Sequence, residues 1–427
     1  MTSECRAPWV GSAGRHDEDC WGEPVRVALL TREYPPDVYG GAGVHVEYLS
    51  RELARIVDVT VHCWGDDRPS TPNGPRVVGH RPSERAAGQA DHGPVLDALS
   101  IDLAMAEACA GADLVHSHTW YANLAGHLAK LLHGAPHVAT VHSLEPLRPW
   151  KAEQLGGGYA VSSYCERTGL ESADAVIAVS SAVADDVCRV YPSIAPERVH
   201  VIHNGVDPQD YRPERAAGAA LLDRFGVDPS RPVVLFVGRI TRQKGIHLLL
   251  EAVRDLPVGV QVVLRAGSPD TAEIEREVAE GVAAAKAEGH EVTVIESSLA
   301  REELTALIGA ATVLCCPSVY EPFGLVNVEA MACAVPVVAS AVGGIPEAVE
   351  HGTTGLLVPV EARADGTGQP TDPSAYARDL AAALTRLVED PELAAKMGEA
   401  GRQRVVDRFS WRQVAARTCA LYERILG

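Results

Sequence analysis

No stretch of the chain approaches the roughly 18 uncharged apolar residues that a membrane span needs, which argues against a transmembrane protein. Basic residues are in deficit. Lys and Arg number 38 against 57 Asp and Glu, a formal net charge of −19, so most of the surface repels nucleic acid and anionic lipid. Any anionic ligand must therefore be met by a local cluster of cations. The ten cysteines include no C-x-x-C pair and no regular spacing, and the N-terminus lacks the basic start and apolar run of a secretory signal. A reducing, cytoplasmic setting is expected, with the adjacent Cys315 and Cys316 read as small buried hydrophobes rather than a redox pair. Also missing are a short-period repeat, a G-x-G-x-x-G fingerprint, and any Asp-x-Asp pattern beyond Asp17-Glu18-Asp19. Solenoids are disfavoured, and neither a metal nor a cofactor is expected.

At 427 residues the chain exceeds what one core usually supports, so two domains are the natural division. Residues 1–24 mix Gly, Cys, Trp and acids without a period and read as a disordered extension. From Val25 onward, short apolar runs alternate with amphipathic segments, which predicts a parallel sheet covered by helices on both faces. The turn-rich stretch Pro208–Pro232 interrupts this pattern, and a second doubly wound unit starts at Val233. The expected fold class is α/β: a first domain over 25–206, a second over 207–408, and a last helix at about 410–425 packing back across the first domain.

Open parallel sheets bind ligands beyond the carboxyl ends of their strands, so the residues just after each strand carry the functional information. In the second domain, Gly238-Arg239-Ile240-Thr241-Arg242-Gln243-Lys244-Gly245 puts three cations in such a turn. Arg239 suits a phosphate as a planar fork and Lys244 as a mobile point charge, although a solvated basic loop is the alternative. Further on, Glu321-Pro322-Phe323-Gly324 precedes a helix opening near Gly324, whose free first-turn amides attract an anion. Glu321 and Glu329 can face one cleft there and accept sugar or ribose hydroxyls, or they can be a cap and a surface acid. In the first domain the turn Gly40-Gly41-Ala42-Gly43 allows close backbone approach to an anion. His142 closes the strand His137–His142, where its ring can bond a sugar oxygen or be a satisfied rim residue. His116 and His118 alternate along another strand end, but no third metal ligand is apparent from the sequence.

Taken in order, Gly-Gly-Ala-Gly, Asn204-Gly205-Val206-Asp207, Gly238-Arg239 through Lys244-Gly245, and Glu321-Pro322-Phe323-Gly324 with Glu329 resemble the retaining glycosyltransferases of family 4 over residues 25–427. That family has the GT-B fold, two Rossmann-like domains facing across a cleft. The runs Thr31-Arg32-Glu33-Tyr34-Pro35-Pro36, His116–Tyr121 and His142–Lys151 are similar to the actinobacterial glycogen synthase and α-maltose-1-phosphate synthase branch. Members of this branch join ADP-glucose to glucose 1-phosphate. True bacterial glycogen synthases carry Lys-x-Gly-Gly-Leu in the first loop. The sequence here, Val38-Tyr39-Gly40-Gly41-Ala42, has neither the Lys nor the Leu, which puts simple glucan elongation in doubt.

The resemblance implies that Arg239 and Lys244 stabilise the leaving diphosphate, assisted by Phe323, Gly324, the Leu325 and Val326 amides and the Gly41 loop. Glu329 would hold the ribose, and Glu321 and His142 the transferred glucose. Arg148 and Lys151 are offered for a sugar-phosphate acceptor. Other readings stay open: glucan elongation, another sugar nucleotide, a nucleotide-sugar epimerase and a non-catalytic binding protein. The choice of ADP over UDP, and whether the chain forms a homodimer, are not set by the sequence.

Overall fold

The computed structural model describes residues 25–38, 40–69, 71–72, 74–83, 93–148 and 158–427. The expected extension over 1–24, Tyr39 of the first Gly-rich loop, and Trp150 and Lys151 lie outside them.

Runs rich in Val, Ile, Leu and Ala, flanked by turns and helices, form strands whose inner members are buried on both faces, while most edge strands are only partly covered. The first sheet contains β1 (Arg26–Leu30), β2 (Asp58–Trp64), β3 (Arg76–His80), β4 (Leu114–His118), β5 (His137–Val141), β6 (Ala175–Ala178) and β7 (Val199–Val201). The second contains β8 (Val233–Ile240), β9 (Gln261–Pro269), β10 (Glu291–Ile295), β11 (Val313–Cys316), β12 (Val337–Ser340) and β13 (Gly355–Val358). Every pairing within the two sheets is parallel. The orders are β3-β2-β1-β4-β5-β6-β7 and β10-β9-β8-β11-β12-β13. Each sheet is therefore wound outward in two directions, and the winding reverses between β1 and β4 in one and between β8 and β11 in the other. Those two reversals open the crevices in which such sheets bind ligands.

The structure adds two elements to the sequence reading. Arg76–His80 is the edge strand β3, and Arg215–Arg224 is a helix inside the segment read as turns. That helix buries Gly218, Leu221 and Leu222, and a Cβ at Gly218 would come within 2.1 Å of the Ala306 carbonyl oxygen. Its formation is set by docking on the helix Arg301–Ala310, which overrides a weak local pattern. Cys315 and Cys316 are both buried and unpaired, as expected.

The last helix, Trp411–Leu426, follows the second sheet in sequence but packs on the first lobe. Its Trp411, Val414, Ala415, Cys419, Leu421 and Tyr422 share one apolar core with β1, β2 and the helix Gly41–Leu53. Burying side chains of this size is worth roughly 1.5–3 kcal/mol each, so this helix is part of the first lobe's stability. The two chain crossings touch: the Val206 amide donates to the Phe409 carbonyl at 2.7 Å, and Val206 bridges Ser410. Gly205 permits the approach, because a Cβ there would sit 2.9 Å from the Trp411 ring.

Candidate active site

The second-lobe half of the site assembles where β8 and β11 diverge. Beyond β8 the chain makes a tight 3-10 turn, Arg242–Lys244, and the Lys244 amide donates to Thr241 Oγ1 at 3.1 Å. Gly245 then adopts a left-handed φ of +65°, and a Cβ there would come within 1.9 Å of the Pro317 carbonyl oxygen. This contact presses the β8 turn onto the loop after β11 and brings Lys244 Nζ to 2.6 Å from Glu321 Oε2. Ser318 Oγ donates to the same carboxylate oxygen at 3.2 Å. Burial by itself would lower the Lys244 pKa, but the Glu321 carboxylate outweighs it and holds the ammonium above its ordinary value. Lys244 is therefore a charged ammonium whose partner can be exchanged for an anionic ligand. Glu321 is in turn clamped from behind: its carbonyl accepts from the Gly344 amide at 3.0 Å, and a Cβ at Gly343 would lie 2.0 Å from that carbonyl.

Arg239, at the end of β8, pairs with Asp270 just beyond β9, with Nη1 2.5 Å from Oδ1. The helix Leu325–Ala332 opens at Gly324, whose φ is +87°, leaving the first-turn amides of Leu325 and Val326 for a ligand. Phe323 is fully buried and anchors this turn. Glu329, in the next turn, accepts from Tyr211 Oη at 3.1 Å. Burial holds its carboxyl above the ordinary range, while the Tyr211 hydroxyl and the charges of Arg301 and Lys244 pull it back down.

The first-lobe half lies beyond β1, β4 and β5. The Gly40 amide donates to Glu33 Oε2 at 2.8 Å, which fixes the start of the helix Gly41–Leu53. A Cβ at Gly41 would lie 3.2 Å from Leu325 Cδ1, so this loop meets the helix opening of the opposite lobe directly. His142 Nε2 is 3.2 Å from His118 Nδ1, and its ring stands edge-on to His45 at 4.7 Å. His45 Nδ1 lies 2.7 Å from Asn204 Oδ1, which makes that nitrogen the donor and leaves Nε2 as a lone pair. Among the described residues, His45 Nε2 and His118 Nε2 have no hydrogen-bond partner. Burial drives the pKa of His118 and His142 well below normal and that of His45 to about 4, so all three rings are neutral at pH 7.

This cluster corrects the reading of His116 and His118. Both nitrogens of His116 are committed, Nδ1 at 2.6 Å from Tyr422 Oη and Nε2 at 2.7 Å from Thr140 Oγ1. His118 instead meets His45 and His142, and these three offer ligand atoms within 4.8 Å of one another, enough to hold a metal ion. Sequence spacing could not supply the third ligand, because His45 arrives on a different element. Thr119, next to His118, is held at φ +64° and ψ 165°, a strained conformation for a residue with a Cβ and a mark of functional sites.

Of the two residues offered for the acceptor, Arg148 donates from Nη1 to Ser143 Oγ at 3.0 Å and lies 3.5 Å from the buried Glu145. Two contacts between the lobes were not legible in the sequence: Arg301 pairs with Glu47 at 2.7 Å over the Tyr48 ring, and Ser180 Oγ donates to the Pro322 carbonyl at 2.7 Å.

Residues 39–210 match the profile of Glycosyltransferase Family 4, and residues 221–404 that of Glycosyl transferases group 1. The chain is 51% identical to the alpha-maltose-1-phosphate synthase of Mycolicibacterium smegmatis over 402 residues, covering 94% of this chain and 100% of the relative. A glycogen synthase of Mycobacterium tuberculosis is 32% identical, covering 93% of this chain and 94% of the relative. Among solved structures, sucrose-phosphate synthase from Thermosynechococcus elongatus superposes with a TM-score of 0.74 at 27% identity, covering 94% of this chain and 99% of that one.

Proposed function

Because the chain belongs to glycosyltransferase family 4, we propose that it is a retaining glucosyltransferase that transfers glucose from ADP-glucose to α-glucose 1-phosphate, giving α-maltose 1-phosphate and ADP for α-glucan synthesis. The observation that carries this reading is the end-to-end match to the mycobacterial alpha-maltose-1-phosphate synthases. The site geometry supports the donor half of it.

In this reading the donor diphosphate lies against the Leu325 and Val326 amides and the Gly41 loop, and displaces Glu321 from Lys244 and Asp270 from Arg239. Glu321, once released, accepts hydroxyls of the transferred glucose, and Glu329 accepts those of the ribose. The glycosidic C1–O bond breaks, its electron pair leaves on the diphosphate, and two cations offset the charge that develops there. The acceptor hydroxyl attacks C1 from the same face and gives its proton to the departing phosphate oxygen. Catalysis is then mostly electrostatic stabilisation by groups already in place. The neutral His142 and its two neighbouring imidazoles bond the sugar rather than the diphosphate.

No divalent cation is required in this scheme, since the diphosphate charge is met in the opposite lobe from the histidine cluster. Full activity in excess EDTA is expected. A loss restored by Zn²⁺ would give His45, His118 and His142 a metal role instead. Product analysis tests the whole reading. With ADP-glucose, the chain should make a disaccharide phosphate when glucose 1-phosphate is added, and neither a lengthened glycogen nor an epimerised donor without it. Glycogen elongation with no sugar phosphate present would replace this reading by glucan synthesis.

A further inference from the structure

The inference that follows rests on the acceptor being a sugar phosphate. In a chain of net charge −19, the acceptor's phosphate needs cations on the first-lobe side of the cleft. Arg32 lies just beyond β1 and Tyr121 just beyond β4, so the two straddle the reversal of the first sheet's winding. The Arg32 guanidinium sits 4.3 Å from the Tyr121 ring centroid and 5.1 Å from that of Trp64. Those rings meet edge-on at 87°, and Tyr121 is stacked on Trp120 at 3.8 Å, so the cation rests on a rigid aromatic corner.

Arg32 also differs from the site's other arginines. Arg239 is paired with Asp270 and Arg301 with Glu47. Among the described residues no carboxylate forms an ion pair with Arg32, although it is exposed. The nearby acids are engaged elsewhere: Glu33 accepts from the Gly40 amide, and Glu145 from Ser162 Oγ and Arg148. Arg148 follows β5 and donates to Ser143 Oγ at 3.0 Å, and the Tyr121 hydroxyl feels the charges of Arg32 and Arg148 as well as those of Glu145 and Glu33.

We propose that Arg32 is a specificity-determining residue that binds the acceptor's phosphate together with Arg148, selecting a phosphorylated sugar over the neutral end of a glucan. The Trp64 and Tyr121 rings hold the guanidinium carbon between them, and a guanidinium can offer N–H groups to two phosphate oxygens at once, a bidentate geometry that lysine cannot reproduce. If Arg32 merely decorates the aromatic surface, its removal would affect stability slightly and leave acceptor binding alone.

The test compares kcat and KM for glucose 1-phosphate in the full chain and in Arg32→Ala, Arg32→Gln and Arg32→Lys. Losing a charge-assisted contact to phosphate should raise this KM by about 10- to 100-fold in the Ala and Gln variants, with kcat changed by less than about threefold. Lys should recover part of the loss, and the inhibition constant of inorganic phosphate against glucose 1-phosphate should rise in parallel. KM values within about threefold of wild type in both Ala and Gln variants would overturn the inference, since that change is smaller than one such contact is worth. Should Ala fail to fold, Gln keeps a planar polar group on the rings, and its KM alone decides the matter by the same threshold. A wild-type chain that does not use glucose 1-phosphate would instead refute the proposed function, so the two failures are distinguishable.

Discussion

The two lobes repeat one architecture and fill its crevice with opposite chemistry. At the β8/β11 reversal the walls are formal charges, Lys244 against Glu321 and Arg239 against Asp270, beside the opening of the helix Leu325–Ala332. At the β1/β4 reversal they are neutral imidazoles, His45, His118 and His142, with the cation Arg32 set apart on the aromatic corner of Trp64 and Tyr121. Charge pairs that a ligand can exchange suit a group whose charge grows during the reaction. Neutral donors and acceptors suit hydroxyls, whose charge does not change. On the proposed reading, the winding of a sheet decides where a ligand goes, and the side chains beyond a few strand ends decide what it is.

The contrast makes demands that can fail. If the second lobe carries the charge stabilisation, Lys244→Ala should lower kcat by on the order of 10²–10³ with its fold intact. A rate within about threefold of wild type in a steady-state assay would remove the charged wall from the mechanism, because the expected loss is far larger.

The first lobe should also be the acid-sensitive one. Burial pushes His45 and His62 to about 4 and His137 to about 3, and it lowers His116, His118 and His142 as well. The unfolded chain, with ordinary values near 6.5, takes up these protons first. Stability is therefore full above pH 6.5 and declines as pH falls toward 4, by on the order of 3 kcal/mol for His45 alone. Asp102 and Glu166, whose carboxyls burial raises, oppose this trend without matching the number of lowered rings. Hydrogen exchange at pH 5 should show first-lobe amides losing protection before those of the second lobe. The opposite order would break the comparison.

A smaller effect sharpens it. If His142 bonds the sugar as proposed, His142→Ala removes one hydrogen bond and no charge and should cost about tenfold in kcat/KM for ADP-glucose. A loss equal to that of Lys244→Ala would mean that the imidazole wall shares the electrostatic work. The least change is expected from Glu47→Ala. It breaks a partly exposed pair with Arg301, and should lower stability by less than about 1 kcal/mol in a denaturant titration.

Most of this arrangement was readable in the chain. Strands and helices announced themselves by apolar runs and turns, and Lys244 and Glu321 were each placed just past a strand end; that the two strands are neighbours and the two side chains pair is seen only in the fold. What escaped depended on register or docking. The edge strand β3 is a short run beside Gly and Pro, and the helix Arg215–Arg224 owes its form to its neighbour. Asp270 meets Arg239 through the alignment of β8 with β9, which no spacing rule supplies. His45 joins two histidines from other elements, and Arg32, read from the sequence only as part of the run Thr31–Pro36, is set apart by two distant rings that the fold brings to it.

The closing helix sets an order of events in synthesis. Tyr422 packs against β4 through His116, yet the ribosome makes it only after the thirteen strands of the described residues. A nascent first lobe thus waits, with the apolar face of its opening helix uncovered, while the second lobe emerges and folds. Domains of most multidomain chains are finished one after another from the N-terminus. Here the lobe begun first is the lobe completed last.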